Sequence, residues 1–220
     1  MNATRIPFAW QVSAERMVGP TEVNRGLACG CICTGCQARV IAKHGTERIP
    51  HFAHRPGADC EHGREMSIHD MAKQLFRQGG VVQVPMLEAI AHARDAWGRY
   101  VNEREQVVPE SAAPIAGMDG QQIRESVAAD VVARWNESPL LVEIVVVHRV
   151  SEDKLERLAA TGFPVIQVDL SGFGKAMITK DDVSQALFGS GIFRGGKVAQ
   201  ASRNLFEDGL VIPVLGDERG

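Results

Sequence analysis

From Arg64 onward the chain changes rhythm: Met66, His69, Ala72, Lys73 and Phe76 recur at helical spacing, with Ile68, Met71 and Leu75 in the neighbouring stripe. The Gly79-Gly80 pair ends the predicted helix. "VVQVPML" then predicts a strand, "VNEREQVVPE" a strand or hairpin, and "SAAPIAGMDGQQ" a loop. "SVAADVVARW" reads as a strand, "NESP" as a tight turn, and "LLVEIVVVH" as a central strand covered on both faces, because its apolar run barely alternates. "SEDKLERLAAT" predicts a helix capped by Ser151, with Asp153 at the capping-box position and an end at Gly162. "FPVIQVDLS" predicts a further strand, parallel to the central one, and "TKDDVSQALFG" a helix capped by Thr179. The tail beyond Gly189 is rich in glycine. Before the first long helix, "QARVIAKHG" and "RIPHFAH" read as two short strands turning at His44-Gly45. The sum is an α/β fold, a mixed sheet flanked by helices, preceded by a small β-hairpin module; the boundary is placed between residues 1–62 and 63–220.

Composition changes this picture in one place. The window Cys31–Leu75 holds four of the five cysteines and five of the seven histidines. The first twenty residues do not form an export signal, since Arg5, Glu15 and Arg16 interrupt any apolar stretch, so a reducing cytoplasm is expected. Clustered cysteines in that setting are metal ligands rather than disulfides. No apolar run reaches the ~20 residues that span a bilayer. A net charge of −3 gives no general attraction to nucleic acid, although it leaves room for a local basic groove.

Cys33 and Cys36 form a C-x-x-C knuckle, the spacing at which two thiolates reach one tetrahedral zinc. The second pair of ligands comes from His51, His54, Cys60 and His62. His51 and His54 point to opposite faces of an extended strand, so one is excluded; His54 and Cys60, at the strand exit, complete the expected set. Cys29 and Cys31 are surplus. Four protein ligands make such a zinc structural.

Asp130 and Glu143 are acids inside apolar strands, a costly placement unless each gains a cation or several hydrogen bonds. Two such acids on adjacent strands suggest a divalent site, and hard carboxylate oxygens favour magnesium or manganese.

"CICTGCQARVIAKHGTERIPHFAH", followed by a cysteine and "REMSIHDMAKQL", resembles the competence-associated CoiA-like proteins, in which a zinc-finger-like segment precedes a PD-(D/E)xK nuclease domain. The resemblance spans roughly residues 27–171, and "HFAH" with E-x-x-x-H-x-x-x-K is its most specific part. It implies a metal-dependent nuclease acting on DNA, with Asp130 and Glu143 as ligands to catalytic Mg²⁺ or Mn²⁺ and Glu65 as a third acid. The E-x-K of that family would place lysine at position 145, where this chain has Val145. Lys73, two helical turns from Glu65 with His69 between them, is the expected replacement. Gln167 is a candidate for orienting water, and Arg39, Lys43, Arg48 and Arg55 for facing phosphate. The alternative function is a nuclease-like module that binds nucleic acid or protein without cutting.

Overall fold

The run from Leu140 to Val146 fixes the centre of the molecule. In the computed structural model its even positions (Leu140, Val142, Ile144, Val146) enter one apolar cluster, while Leu141 enters another on the opposite face. The structure describes residues 5–45, 49–56, 58, 60–84, 87–94, 100–108, 111–114, 118–119, 122–124, 127–135, 138–148, 150–163, 165–173, 177–188 and 211–212.

The chain opens with strands β1 (Ala9–Gln11), β2 (Arg16–Val18), β3 (Cys31–Ile32), β4 (Ile41–Lys43) and β5 (His51–Ala53), then helix α1 (Gly63–Arg77). Next come β6 (Val81–Val84), β7 (Leu87–Arg94), β8 (Tyr100–Val108), β9 (Ser111–Pro114), β10 (Met118–Asp119), β11 (Gln122–Arg124) and β12 (Val127–Ala128). The last section holds β13 (Val131–Trp135), β14 (Ser138–Val145), α2 (Glu152–Ala159), β15 (Val165–Asp169), α3 (Lys180–Phe188) and β16 (Val211–Ile212). The fold is mixed α/β. Its largest sheet has the order β10-β13-β14-β15-β16; β13 and β14 are antiparallel, whereas β14 and β15 are parallel and joined through α2. β4 and β5 pair as the expected hairpin.

One face of that sheet packs Val131, Ala133 and Ile166 against Ile68, Met71, Ala72, Leu75 and Phe76 of α1 and Val183 and Leu187 of α3. The other packs Leu141 and Val165 against Leu158 of α2. Covering on both sides explains why β14 shows so little polar alternation. Thr179 caps α3: its hydroxyl accepts the Asp182 N–H at 3.2 Å, and the Asp182 carboxylate accepts the Thr179 N–H at 2.7 Å. Gly79, at φ +90°, adopts the left-handed conformation that stops α1.

A second cluster (Ile6, Ala9, Val18, Cys29, Cys31, Cys33, Val40, Ala42, Phe52) forms the core of the N-terminal module. The β1–β2 hairpin serves both clusters, because Phe8 and Met17 point into the main core. Gln74 of α1 fastens this hairpin: its Oε1 accepts the Met17 N–H at 2.5 Å and its Nε2 donates to the Met17 carbonyl at 3.0 Å.

Several expectations are revised. "SVAADVVARW" is two strands, β12 and β13, broken by a bend at Asp130. The expected loop at 111–122 contains β9 and β10, with β9 pairing β6 and β7 pairing β8. The tail beyond Gly189, apart from β16, lies outside the described residues. No helix among the described residues is long and apolar enough to cross a membrane.

Candidate functional site

The β13–β14 register pairs Val131 with Val142, so the next positions outward are Asp130 and Glu143. They are tied crosswise: the Asp130 N–H donates to Glu143 Oε1 at 3.3 Å, and the Ile144 N–H donates to Asp130 Oδ2 at 3.0 Å. Asp130 therefore takes with its side chain an amide that a continuous ladder would have satisfied, which is why it sits at a bend rather than inside a strand. On the other side of β14, Glu143 pairs with Gln167 in the parallel register.

Two helices bring cations to these acids. From α1, His69 Nε2 lies 3.1 Å from Asp130 Oδ2 and Lys73 Nζ 2.9 Å from Oδ1. From α2, Lys154 Nζ lies 2.5 Å from Glu143 Oε2. Lys154 was missed by sequence reasoning. Ser151 is the cap, its hydroxyl accepting the Lys154 N–H at 3.3 Å. That makes Lys154, and not Asp153, the third helical residue, correcting the expected capping box and placing an ammonium where a carboxylate was foreseen.

The two acids titrate in opposite senses. Glu143 is only 1% exposed, and burial, reinforced by the Asp130 charge, pushes its carboxyl up against the pull of Lys154. Burial acts the same way on Asp130, but the His69 hydrogen bond and charge, the Ile144 amide and Lys73 together hold it well below the usual carboxylate range. His69 is pushed up to about 9: burial opposes its charge, and Asp130 with the nearby Asp70 overcome that opposition.

Glu65 stands apart from this group. Its carboxylate is hydrogen-bonded to His148 Nδ1 at 3.1 Å, with His62 Nδ1 3.8 Å away, one helical turn before His69. Of the four residues expected to share the chemistry, the structure brings Lys73, Asp130 and Glu143 together and places Glu65 against two histidines.

In the N-terminal module the donor atoms of Cys33, Cys36, His54 and Cys60 all lie within 4.8 Å of one another. Cys33 and Cys60 are 3.9 Å apart at sulfur, and Cys36 Sγ is 3.2 Å from His54 Nε2. A tetrahedral zinc with Zn–S bonds of about 2.3 Å would separate its sulfurs by about 3.8 Å, so the set fits that ion. Burial pushes the Cys33 thiol up to about 12; the N–H groups of Cys36 and Gly35 pull it down and the Cys60 and Cys36 sulfurs push it back up. Two glycines allow the approach. A Cβ on Gly63 would lie 3.0 Å from Cys33 Sγ and 3.2 Å from Cys60 Sγ, and one on Gly35 would meet the Gly63 backbone at 3.1 Å. His51 is outside the set, its Nδ1 lying 2.9 Å from the Ile49 carbonyl. Cys29 and Cys31 are buried thiols near the Val40 and Cys29 carbonyls.

Residues 27–63 match the family model described as competence protein CoiA, N-terminal domain. Over this segment the chain is CoiA-like. No curated protein and no solved structure matches the chain. The CoiA-like segment holds all four candidate zinc ligands and ends on the first residue of α1, so Glu65, Lys73, Asp130, Glu143 and Lys154 lie beyond it. On its surface Lys43 and Arg55 are exposed, Arg39 donates to the Leu27 carbonyl at 3.4 Å, and Arg48 lies outside the described residues.

Proposed function

We propose that this protein is a metal-dependent nuclease that hydrolyses DNA phosphodiester bonds, with residues 63–220 as a nuclease-like domain of the PD-(D/E)xK kind. The observation that carries this reading is the crossed Asp130–Glu143 pair, Glu143 buried and Asp130 partly so, at the junction of an antiparallel and a parallel strand pairing and flanked by Lys73 and Lys154. Two adjacent hard-oxygen donors suit Mg²⁺ or Mn²⁺. When bound there, such a cation supplies Lewis-acid polarisation of a phosphoryl oxygen and a more acidic water. The chain's own part is to hold Asp130 ionised through His69 and the Ile144 amide, and to offer two ammonium groups on flexible stems that can turn from the carboxylates to a phosphate. Lys154 takes up the role that Val145 cannot, beside Lys73.

The CoiA-like segment, in this reading, holds one structural Zn²⁺ through Cys33, Cys36, His54 and Cys60 and braces the start of α1. A reducing, cytoplasmic setting suits those thiols.

Labelled single- and double-stranded DNA incubated with the protein, with and without Mn²⁺, tests the proposal. Cleavage should need the metal and disappear in Asp130→Ala with zinc content unchanged. The second reading, a module that binds nucleic acid or protein without cutting, is favoured by one observation: each oxygen of the two carboxylates already has a partner within the chain. Protein that binds DNA, takes up no Mn²⁺ or Mg²⁺ by calorimetry, and leaves every substrate intact would establish that second reading.

A further inference from the structure

We infer that Glu65 and His148 form a carboxylate–imidazole dyad in which His148 is a general base for phosphodiester hydrolysis and Glu65 its positioning residue. This rests on the nuclease reading and gives Glu65 a different task from the third acid expected of it.

The geometry is that of an orienting pair. Glu65 Oε1 lies 3.1 Å from His148 Nδ1. The carboxylate is mostly covered, with its side chain 21% exposed, whereas the imidazole is 72% exposed. His62 Nδ1, 3.8 Å from Oε2, flanks the same carboxylate from the other side. An ionised carboxylate only accepts hydrogen bonds, so it selects the Nδ1–H tautomer of a neutral imidazole and leaves Nε2 as a lone-pair acceptor facing outward. That is the base–orienter relation on which proton-transfer sites depend.

Its position is suited to the reaction. Glu65 precedes His69 by one turn of α1, a rise of about 6 Å, and His69 touches Asp130. The dyad opens into a pocket of about 310 Å³ bounded by Glu61, His62, Arg64, Ile68 and Val146. There the attacking water would give its proton to His148 Nε2 while its oxygen forms the new bond to phosphorus. The P–O bond to the leaving nucleotide breaks, its electron pair stays on the leaving oxygen, and solvent protonates that oxygen. No oxidant or further reactant enters.

The test compares Mn²⁺-dependent DNA cleavage by wild type, His148→Ala, Glu65→Gln and the double variant, each first checked for zinc content and thermal midpoint. His148→Ala should cut about a hundredfold more slowly, lose the fall in rate on the acid side of the pH profile, and regain activity with added imidazole. Glu65→Gln should be slowed too, and the double variant no slower than His148→Ala. Glu61, His62, Arg64 and Glu65 face His148; His62 is the second imidazole beside Glu65, so His62→Ala must keep the acid-side fall. Independently of activity, long-range ¹⁵N–¹H correlations should show His148 as the Nδ1–H tautomer in wild type and as Nε2–H in Glu65→Gln, whose amide can donate. Wild-type cleavage with an unaltered rate and pH profile in His148→Ala would overturn the dyad and leave the nuclease reading standing. A slow, rescuable His148→Ala beside a normal Glu65→Gln would remove Glu65 from its role. A wild type that cuts nothing would end the nuclease reading and the dyad's role as a base together.

Discussion

Three thiols and an imidazole converge in the CoiA-like segment, with Cys33 wholly buried and its thiol pushed up to about 12 by that burial. On the β13–β14 pair, two carboxylates are tied crosswise through backbone N–H groups, and Lys73, Lys154 and His69 already contact them. In the first group burial pushes the Cys33 and Cys60 thiols up, and a soft cation from outside would offset that. The second carries its countercharges in the chain: they hold Asp130 ionised without one, while burial still pushes the Glu143 carboxyl up. Ligands of the first kind couple metal binding to folding; the second arrangement pairs largely covered acids with partly exposed lysines of the same chain.

Removing a zinc ligand should therefore have the largest effect. Cys33→Ser should lower zinc content well below one per chain and destabilise the protein by on the order of 5 kcal/mol, as loss of a structural metal does. Elemental analysis and urea unfolding measure both. Full stability in protein without zinc would erase the contrast between the two regions.

Lys154→Met comes next. It strips the cation from Glu143, a carboxylate 1% exposed and next to another acid, and should cost about 3 kcal/mol. Adding Glu143→Gln should recover much of that loss, because the uncompensated charge is then gone. Millimolar Mn²⁺ should raise the thermal midpoint of Lys154→Met more than that of wild type, since an added cation can replace the missing ammonium. An equal rise in both proteins would mean that Lys154 and a metal do not share the same carboxylate.

What was legible in the sequence follows the range of the interactions involved. Cys33 and Cys36 are three residues apart, and strand alternation was enough to separate His54 from His51. Asp130 and Glu143 could be paired because each is the lone acid in an apolar stretch and only a short turn separates those stretches. The capping residues Ser151 and Thr179 are local signals too. Lys154 was not legible: which charge an α2 side chain meets depends on how α2 lies on the sheet, and no local pattern records that. Glu65 and His148 are 83 residues apart in sequence, and Gln74 and Met17 are 57 apart. Gly63 looked like an ordinary helix-start glycine until two sulfurs were found against it. In the stretch from β6 to β9 the polar, turn-rich composition hid the pairing of β6 with β9, which encloses that of β7 with β8.

Gly63→Ala sharpens the comparison at a smaller scale. Its methyl group would press on Cys33 Sγ at 3.0 Å and Cys60 Sγ at 3.2 Å, so the two sulfurs must separate. Overpacking of this kind costs about 1–2 kcal/mol, although alanine favours the helix itself. Zinc should be released to a chelator faster than from wild type, while Mn²⁺-dependent behaviour stays the same. A variant that keeps its zinc as firmly as wild type would show that the module yields where close packing says it cannot.

The smallest expected effect lies one residue past the knuckle. Gln37 has φ 61°, in the left-handed region, and its N–H donates to the Cys33 carbonyl at 2.8 Å, closing the turn that carries both sulfurs. An L residue pays about 1–2 kcal/mol for that conformation, and glycine loses roughly 0.5–1 kcal/mol through its greater freedom when unfolded. Gln37→Gly also gives up an exposed hydrogen bond from Nε2 to the Thr34 carbonyl at 3.1 Å. The terms nearly balance, and the expected outcome is stabilisation of under about 1 kcal/mol with zinc content unchanged. If the turn is set by the backbone and the metal, as the convergence of the four donors argues, the side chain at position 37 is dispensable. A loss of more than about 1 kcal/mol in denaturant unfolding would instead make the Gln37–Thr34 hydrogen bond part of what holds the knuckle closed.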